Sequence, residues 1–163
     1  MPGRTQGNAA NSSGRSLELA VVSTLTAKGF RVATYRKWEK DPSLYGGELL
    51  LKNVPYNTIY GHQGNTEFLL KSASRNMEIR IECKWQQAAG SVDEKFPYLY
   101  LNCIEMMPES HIIILIDGGG FKAGALTWLK TAADSRRYQI QNNEKIIRVM
   151  SLAEFMAWAN TNF

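Results

Sequence analysis

Two cysteines in 163 residues are too few for a disulfide framework. Cys83 lies in an alternating, strand-like stretch and Cys103 in a helical one, so both are expected to be reduced thiols, which suits a cytoplasmic, intracellular setting. Long apolar runs are also missing. No stretch approaches the roughly 18 residues that a membrane-spanning helix needs, so no membrane partner is expected. The opening "MPGRTQGN" has a basic residue but no apolar segment behind it, and no secretory leader is expected. Internal repeats are absent, which excludes a solenoid. What remains is a chain with 44% apolar and 21% charged residues. That balance is close to the globular average, and the length suits one domain with a real core.

Acidic residues are outnumbered, 15 against 19 lysines and arginines, for a net charge of +4. The resulting pI near 9.1 gives a mild electrostatic preference for an anionic partner such as nucleic acid.

Residues 1–15, "MPGRTQGNAANSSGR", carry small polar residues, glycine and arginine without apolar periodicity, and are expected to form a flexible tail ahead of a single domain over 16–163. From Ser16, Leu17, Val21 and Leu25 recur at helical spacing until Lys28-Gly29, a C-terminal stop signal. "FRVATY" (30–35) alternates as a strand does, and "RKWEKDPSLYGGE" reads as a loop. "ELLLK" and "NTEFLLK" are strand candidates separated by the Pro- and Gly-bearing "NVPYNTIYGHQGN", and "SASRN" is a turn. A helix is expected from Asp93, tolerating Pro97 in its first turn. "HIIILID" (111–117) is a continuous apolar run, typical of a central strand covered on both faces. Then come a helix in "AGALTWLKTAADSRR", a strand in "KIIRVM" and a last helix opened by Ser151 and Glu154 at capping-box spacing. This order implies an α/β (α+β) fold, a mixed central sheet flanked by helices.

The stretch "MEIRIECKWQQ" carries the chemistry. Ile79, Ile81 and Cys83 alternate with Arg80, Glu82 and Lys84, so one face is apolar and the other, which should expect solvent, ends in a carboxylate and an ammonium. Those two groups lie about 7 Å apart along a strand. Hydrolysis of a phosphodiester needs a divalent ion held by one or two carboxylates, plus a cation near the attacking water and the phosphate. Glu82 and Lys84 supply one of each. Glu67, which begins "EFLL", can join them if its strand pairs as a hairpin across "SASRN".

Glu67, fourteen intervening residues and then Glu82-Cys83-Lys84 resembles the signature of the PD-(D/E)XK nucleases, in which an acid on one strand precedes acid-x-lysine on the next. Glu18 in "SLELAVV" matches a helix glutamate found in many members, and Gln86 resembles the glutamine that often follows the lysine. "CKWQQAAGSVDEKFPYL" is similar to a stretch of type II restriction endonucleases, and the resemblance spans about residues 16–135. It implies a restriction-endonuclease-like fold and a Mg²⁺-dependent DNA endonuclease, with Mn²⁺ as a substitute metal and a homodimer as the assembly. Glu67, Glu82, Glu18 and the Cys83 carbonyl would be the metal ligands, with Lys84 and Gln86 as further catalytic residues. A Holliday junction resolvase or other structure-specific nuclease is the alternative, and a non-catalytic DNA-binding or assembly module with the same fold is the second. The sequence departs from the pattern in its first acid. That residue is Glu67 after Thr66 where the motif has aspartate after proline, and Glu48 is the substitute candidate.

Other residues have plainer readings. Lys95 either contacts a phosphate or starts a helix. Trp38 among Arg36, Lys37 and Lys40 suits a nucleic-acid contact, and a solvated loop equally. His62 in a loop and the glycines of "DGGG" read as structural, and Trp128 and Trp158 as core.

Overall fold

The computed structural model describes residues 5–141 and 143–163, with the side chains before Gly14 excepted. It forms one six-stranded sheet in the order β1-β2-β3-β4-β5-β6. The strands are β1 (Arg31–Thr34), β2 (Glu48–Asn57), β3 (Gln63–Ser72), β4 (Met77–Trp85), β5 (His111–Asp117) and β6 (Ile146–Met150). The helices are α1 (Thr5–Thr26), α2 (Tyr35–Trp38), α3 (Phe96–Glu105), α4 (Ala123–Asp134) and α5 (Leu152–Asn162). β2, β3 and β4 pair antiparallel through two hairpins, and the remaining neighbours pair parallel. Parallel neighbours cannot be joined by a tight turn, so β4 reaches β5 through α3, and β5 reaches β6 through α4. The mixed sheet flanked by helices is the architecture read from the sequence.

Two cores cover the two faces. Leu17, Val21 and Leu25 of α1 and Phe155 and Ala159 of α5 pack on Leu50, Phe68, Ile81, Cys83, Ile113 and Leu115. On the other side Phe96, Tyr100 and Cys103 of α3 and Leu129 and Ala132 of α4 pack on Ile112, Ile114 and Ile116. The alternate residues of "HIIILID" therefore enter opposite cores, as a central strand requires. Trp128 and Trp158 sit partly buried at the margins of these cores.

Several boundaries differ from the sequence reading. The first helix starts at Thr5 and takes in Thr5–Arg15, which the sequence assigns to the tail; residues 1–4 of that tail lie outside the described residues. Helix α2 is a single turn inside the segment read as loop. The helix expected from Asp93 opens with a 3₁₀ turn, Asp93–Lys95, before Phe96. β2 runs on through Pro55 to Asn57, paired with β3 as far as Gln63, whereas β1 pairs with it only as far as Lys52. Beyond that point no described strand pairs with the outer edge of β2, and prolines in sheets are found at such edges. The glycines after β5 form a turn. Gly118, at φ 113°, has no room for a Cβ, which would lie 2.5 Å from the Gln86 carbonyl oxygen. The capping box at Ser151 and Glu154 is present with both of its hydrogen bonds.

Candidate active site

The hairpin of β3 and β4 sets the site. Its register pairs Phe68 with Ile81, Leu70 with Ile79 and Ser72 with Met77, and the described ladder stops at Phe68. One step further the same register would set Glu67 against Glu82. There the Glu67 carboxylate takes over as acceptor, and the Cys83 N–H donates to its Oε2 at 2.7 Å. The side chain thus stands where a ladder carbonyl would otherwise be, at the point where the two strands stop pairing.

The polar face of β4 is not a solvated one. Arg80 is 2% exposed and Glu82 5%. The sequence reading expected water on this side. The cover is tolerable because the charges have partners. Arg80 pairs with Glu109 and donates to the Thr66 hydroxyl at 2.9 Å and to the Val54 carbonyl at 3.2 Å. Lys84 Nζ pairs with Glu82 Oε1. The second carboxylate oxygen of Glu82, Oε2, is buried with no hydrogen-bond partner.

The charges act on one another. Burial pushes the Glu67 carboxyl up to about 7, and the nearby Glu82 carboxylate adds to the rise; Lys84 and the Cys83 N–H oppose it. Burial works to lower the Lys84 ammonium, but the charges of Glu82 and Glu67 outweigh it, and Lys84 stays protonated above its ordinary range. Burial raises the Cys83 thiol well above the usual thiol range, with Glu67, Glu82 and Glu18 adding to it. Glu18, partly buried on α1, is therefore within electrostatic reach of the same spot.

Glu67, Glu82, Cys83 and Lys84 come together, with Glu18 close by on the helix side. Glu48 does not. It sits at the far end of β2, where it accepts hydrogen bonds from the Ser72 hydroxyl at 2.6 Å and the Ser74 N–H at 2.9 Å. Gln86 follows the end of β4, and its carboxamide is committed to backbone, donating to Gly120 O at 2.9 Å and accepting from Val92 N–H at 3.0 Å. The same parity as Glu82 and Lys84 does not carry it into the cluster, because the strand ends at Trp85. Lys95 is exposed in the turn before α3.

Arg36 lines a cleft of about 550 Å³ with Lys40 and Lys52. That cleft lies beside the Glu67 end of β3, since Lys52 pairs with Phe68 and Val54 with Thr66. Lys37 is exposed. Trp38 lies elsewhere, packed under Lys71 Nζ at 5.2 Å. His62 shares a 3.2 Å hydrogen bond with the Thr58 hydroxyl across the β2–β3 loop.

Tyr56 is a neighbour that the sequence reading passes over. Burial and the Glu82 charge push its phenol up to about 12. The signal was available, because Val54 and Tyr56 continue a period of two, but Pro55 read as a break.

Among the described residues no three His, Cys, Asp or Glu side chains form a ready metal cage. The donor set nevertheless fits a hard divalent ion. Mg²⁺ is commonly held by one or two carboxylates with water completing its shell. Here the buried Glu82 carboxylate adjoins the partly buried one of Glu67, and one Glu82 oxygen has no partner. A family model described as a PD-(D/E)XK nuclease superfamily domain matches residues 9–163. No curated protein and no solved structure matches the chain.

Proposed function

The chain belongs to the PD-(D/E)XK nuclease superfamily, and from that premise we propose that it is a divalent-metal-dependent DNA endonuclease, restriction-endonuclease-like, centred on Glu67, Glu82 and Lys84. The observation that carries this reading is the buried Glu82 carboxylate, with one oxygen on Lys84 and the other without a partner, next to the partly buried carboxylate of Glu67. Such an arrangement is costly for a fold and useful for a cation.

Glu67 and Glu82 would hold the ion, with the Cys83 carbonyl and Glu18 in support. Mg²⁺, or Mn²⁺ in its place, supplies positive charge against the phosphate and acidity to water. Lys84, held protonated by the two glutamates, directs its ammonium to the attacking water and to the charge that gathers on the phosphate oxygens. Water adds to phosphorus, the bond to the 3′ oxygen breaks, and the product keeps a 5′ phosphate. The cleft with Arg36, Lys40 and Lys52 offers the DNA backbone a cationic path beside Glu67. Gln86 acts from behind, by fixing the loop around Gly120. A homodimer would let two such centres cut both strands.

The test is incubation of the full chain with supercoiled plasmid, linear duplex and a four-way junction in Mg²⁺, Mn²⁺ or EDTA. Metal-dependent cutting is expected. Discrete plasmid bands would mark a restriction-type enzyme, and preferential junction cutting a resolvase. Tight DNA binding without cutting in either metal would overturn the enzymatic reading in favour of a binding module.

A further inference from the structure

The loop joining β2 to β3 is tied down on all sides. The Thr58 N–H donates to the His62 carbonyl at 2.8 Å, and the Gly61 N–H donates to the Thr58 carbonyl at 2.9 Å. Gly61 takes φ 80°, the left-handed conformation that closes the turn. The Ile59 N–H donates to Asn102 Oδ1 on α3 at 2.9 Å, and Asn102 Nδ2 donates to the Tyr98 carbonyl at 3.0 Å. Asn102 is fully buried, so these bonds fix the loop to the helix.

This frame presents an aromatic pair. Tyr60 is 74% exposed, and its ring stacks on that of Tyr98 with centroids 4.9 Å apart and planes inclined by 27°. A large ring held out in water gives up burial that it would gain against a core. The pair also lies toward the catalytic cluster. Tyr98 acts electrostatically on the Tyr56 phenol, and so does Glu82. The Tyr56 ring lies 5.7 Å from the Arg80 guanidinium, two residues before Glu82 on the same strand. Gly64, opposite Tyr56, leaves the space that ring fills; a Cβ there would meet it at 3.1 Å. Exposed Lys95 stands three residues before Tyr98, about one helical turn away, where a phosphate could be held.

Rings fixed at the surface beside cations are how proteins hold unpaired bases, since every base offers a face to stack on. We propose that the Tyr60–Tyr98 pair seats an unpaired nucleobase of the DNA substrate, so that the enzyme takes strands with a splayed or single-stranded nucleotide next to the scissile phosphate. This rests on the nuclease reading above and selects, within it, a structure-specific substrate over a fully paired one.

Binding measured in EDTA tests the seat apart from the chemistry. Fluorescence anisotropy would compare a labelled single-stranded oligonucleotide with a blunt duplex, for the wild-type chain, Tyr60→Ala and Tyr60→Phe. A 2-aminopurine base in the single strand would report stacking by its quenching. Wild type is expected to bind the single strand and quench the probe. Tyr60→Ala is expected to weaken that binding about tenfold, the scale of one base–aromatic contact, and Tyr60→Phe to restore it. Duplex affinity should be alike in all three. Single-strand binding by Tyr60→Ala equal to wild type, or an unquenched probe on the wild-type chain, would overturn the proposal. So would an equal loss on duplex, which is what a general electrostatic or folding defect would produce. Cleavage with Tyr60-independent binding would refute the seat alone, whereas Tyr60-dependent binding without cleavage would support the seat and refute the chemistry.

Discussion

Replacing Glu67 by glutamine should stabilise the metal-free protein while abolishing its activity. The Glu67 carboxyl titrates near 7 in the fold against an ordinary 4.5. The native state therefore keeps its proton longer than the unfolded chain does, and stability falls as pH rises from about 4.5 to about 7. At 1.36 kcal/mol per pH unit that gap sets a ceiling of about 3 kcal/mol, lost in full at pH 8. Glutamine is neutral throughout and can still accept from the Cys83 N–H. Glu67→Gln should thus match wild type near pH 4.5 and exceed it at pH 8 in EDTA, by roughly 6–12 °C in Tm at that ceiling. Adding Mg²⁺ at pH 8 should stabilise wild type and leave the variant unchanged, since only wild type keeps both carboxylates. Thermal and urea unfolding at the two pH values provide the assay. A variant no more stable than wild type at pH 8, or a difference independent of pH, would refute the electrostatic argument.

Three further outcomes follow from the same contacts. Arg80→Met leaves Glu109 buried and unpaired and should cost about 3–5 kcal/mol in urea unfolding; a loss under about 1 kcal/mol would show that the pair carries no such burden. Gln86→Leu strands the Gly120 carbonyl and the Val92 N–H and should cost about 1–3 kcal/mol. Loss of cleavage at unchanged Tm would instead return Gln86 to the reacting groups. Gly118→Ala forces a Cβ into the Gln86 backbone at positive φ, so its Tm should fall, and an unchanged Tm would contradict the described turn.

The hairpin of β3 and β4 was legible because alternation and a short turn fix register, and register alone brings Glu67 to Glu82. The two covered faces of "HIIILID" were legible for the same reason of pattern. What escaped the sequence depended on partners remote in the chain. Arg80 reads as a solvated residue until Glu109 and the carbonyls of β2 close over it. Gln86 has the parity of the site residues, but the strand ends one residue earlier, and its amide finds Gly120 and Val92. Tyr56 was hidden behind Pro55, whose tolerance in β2 depends on how short β1 is. The meeting of Tyr60 with Tyr98 needed a loop and a helix nearly forty residues further on, tied by Asn102.

Glu67, Glu82 and Lys84 are proposed above to form a metal-dependent hydrolytic centre. Its most direct test is the rate at which wild type and Lys84→Ala cleave supercoiled plasmid and a four-way junction at saturating Mg²⁺, with EDTA as the control. Lys84→Ala leaves the buried Glu82 carboxylate without its partner, so melting curves taken in Mg²⁺ would establish that the variant is folded before its rate is compared. Wild type should cut, EDTA should stop the cutting, and Lys84→Ala should reduce it by at least about a hundredfold, the scale of losing one charge-stabilising group. Cleavage by folded Lys84→Ala at the wild-type rate, or cutting unaffected by EDTA, would contradict it.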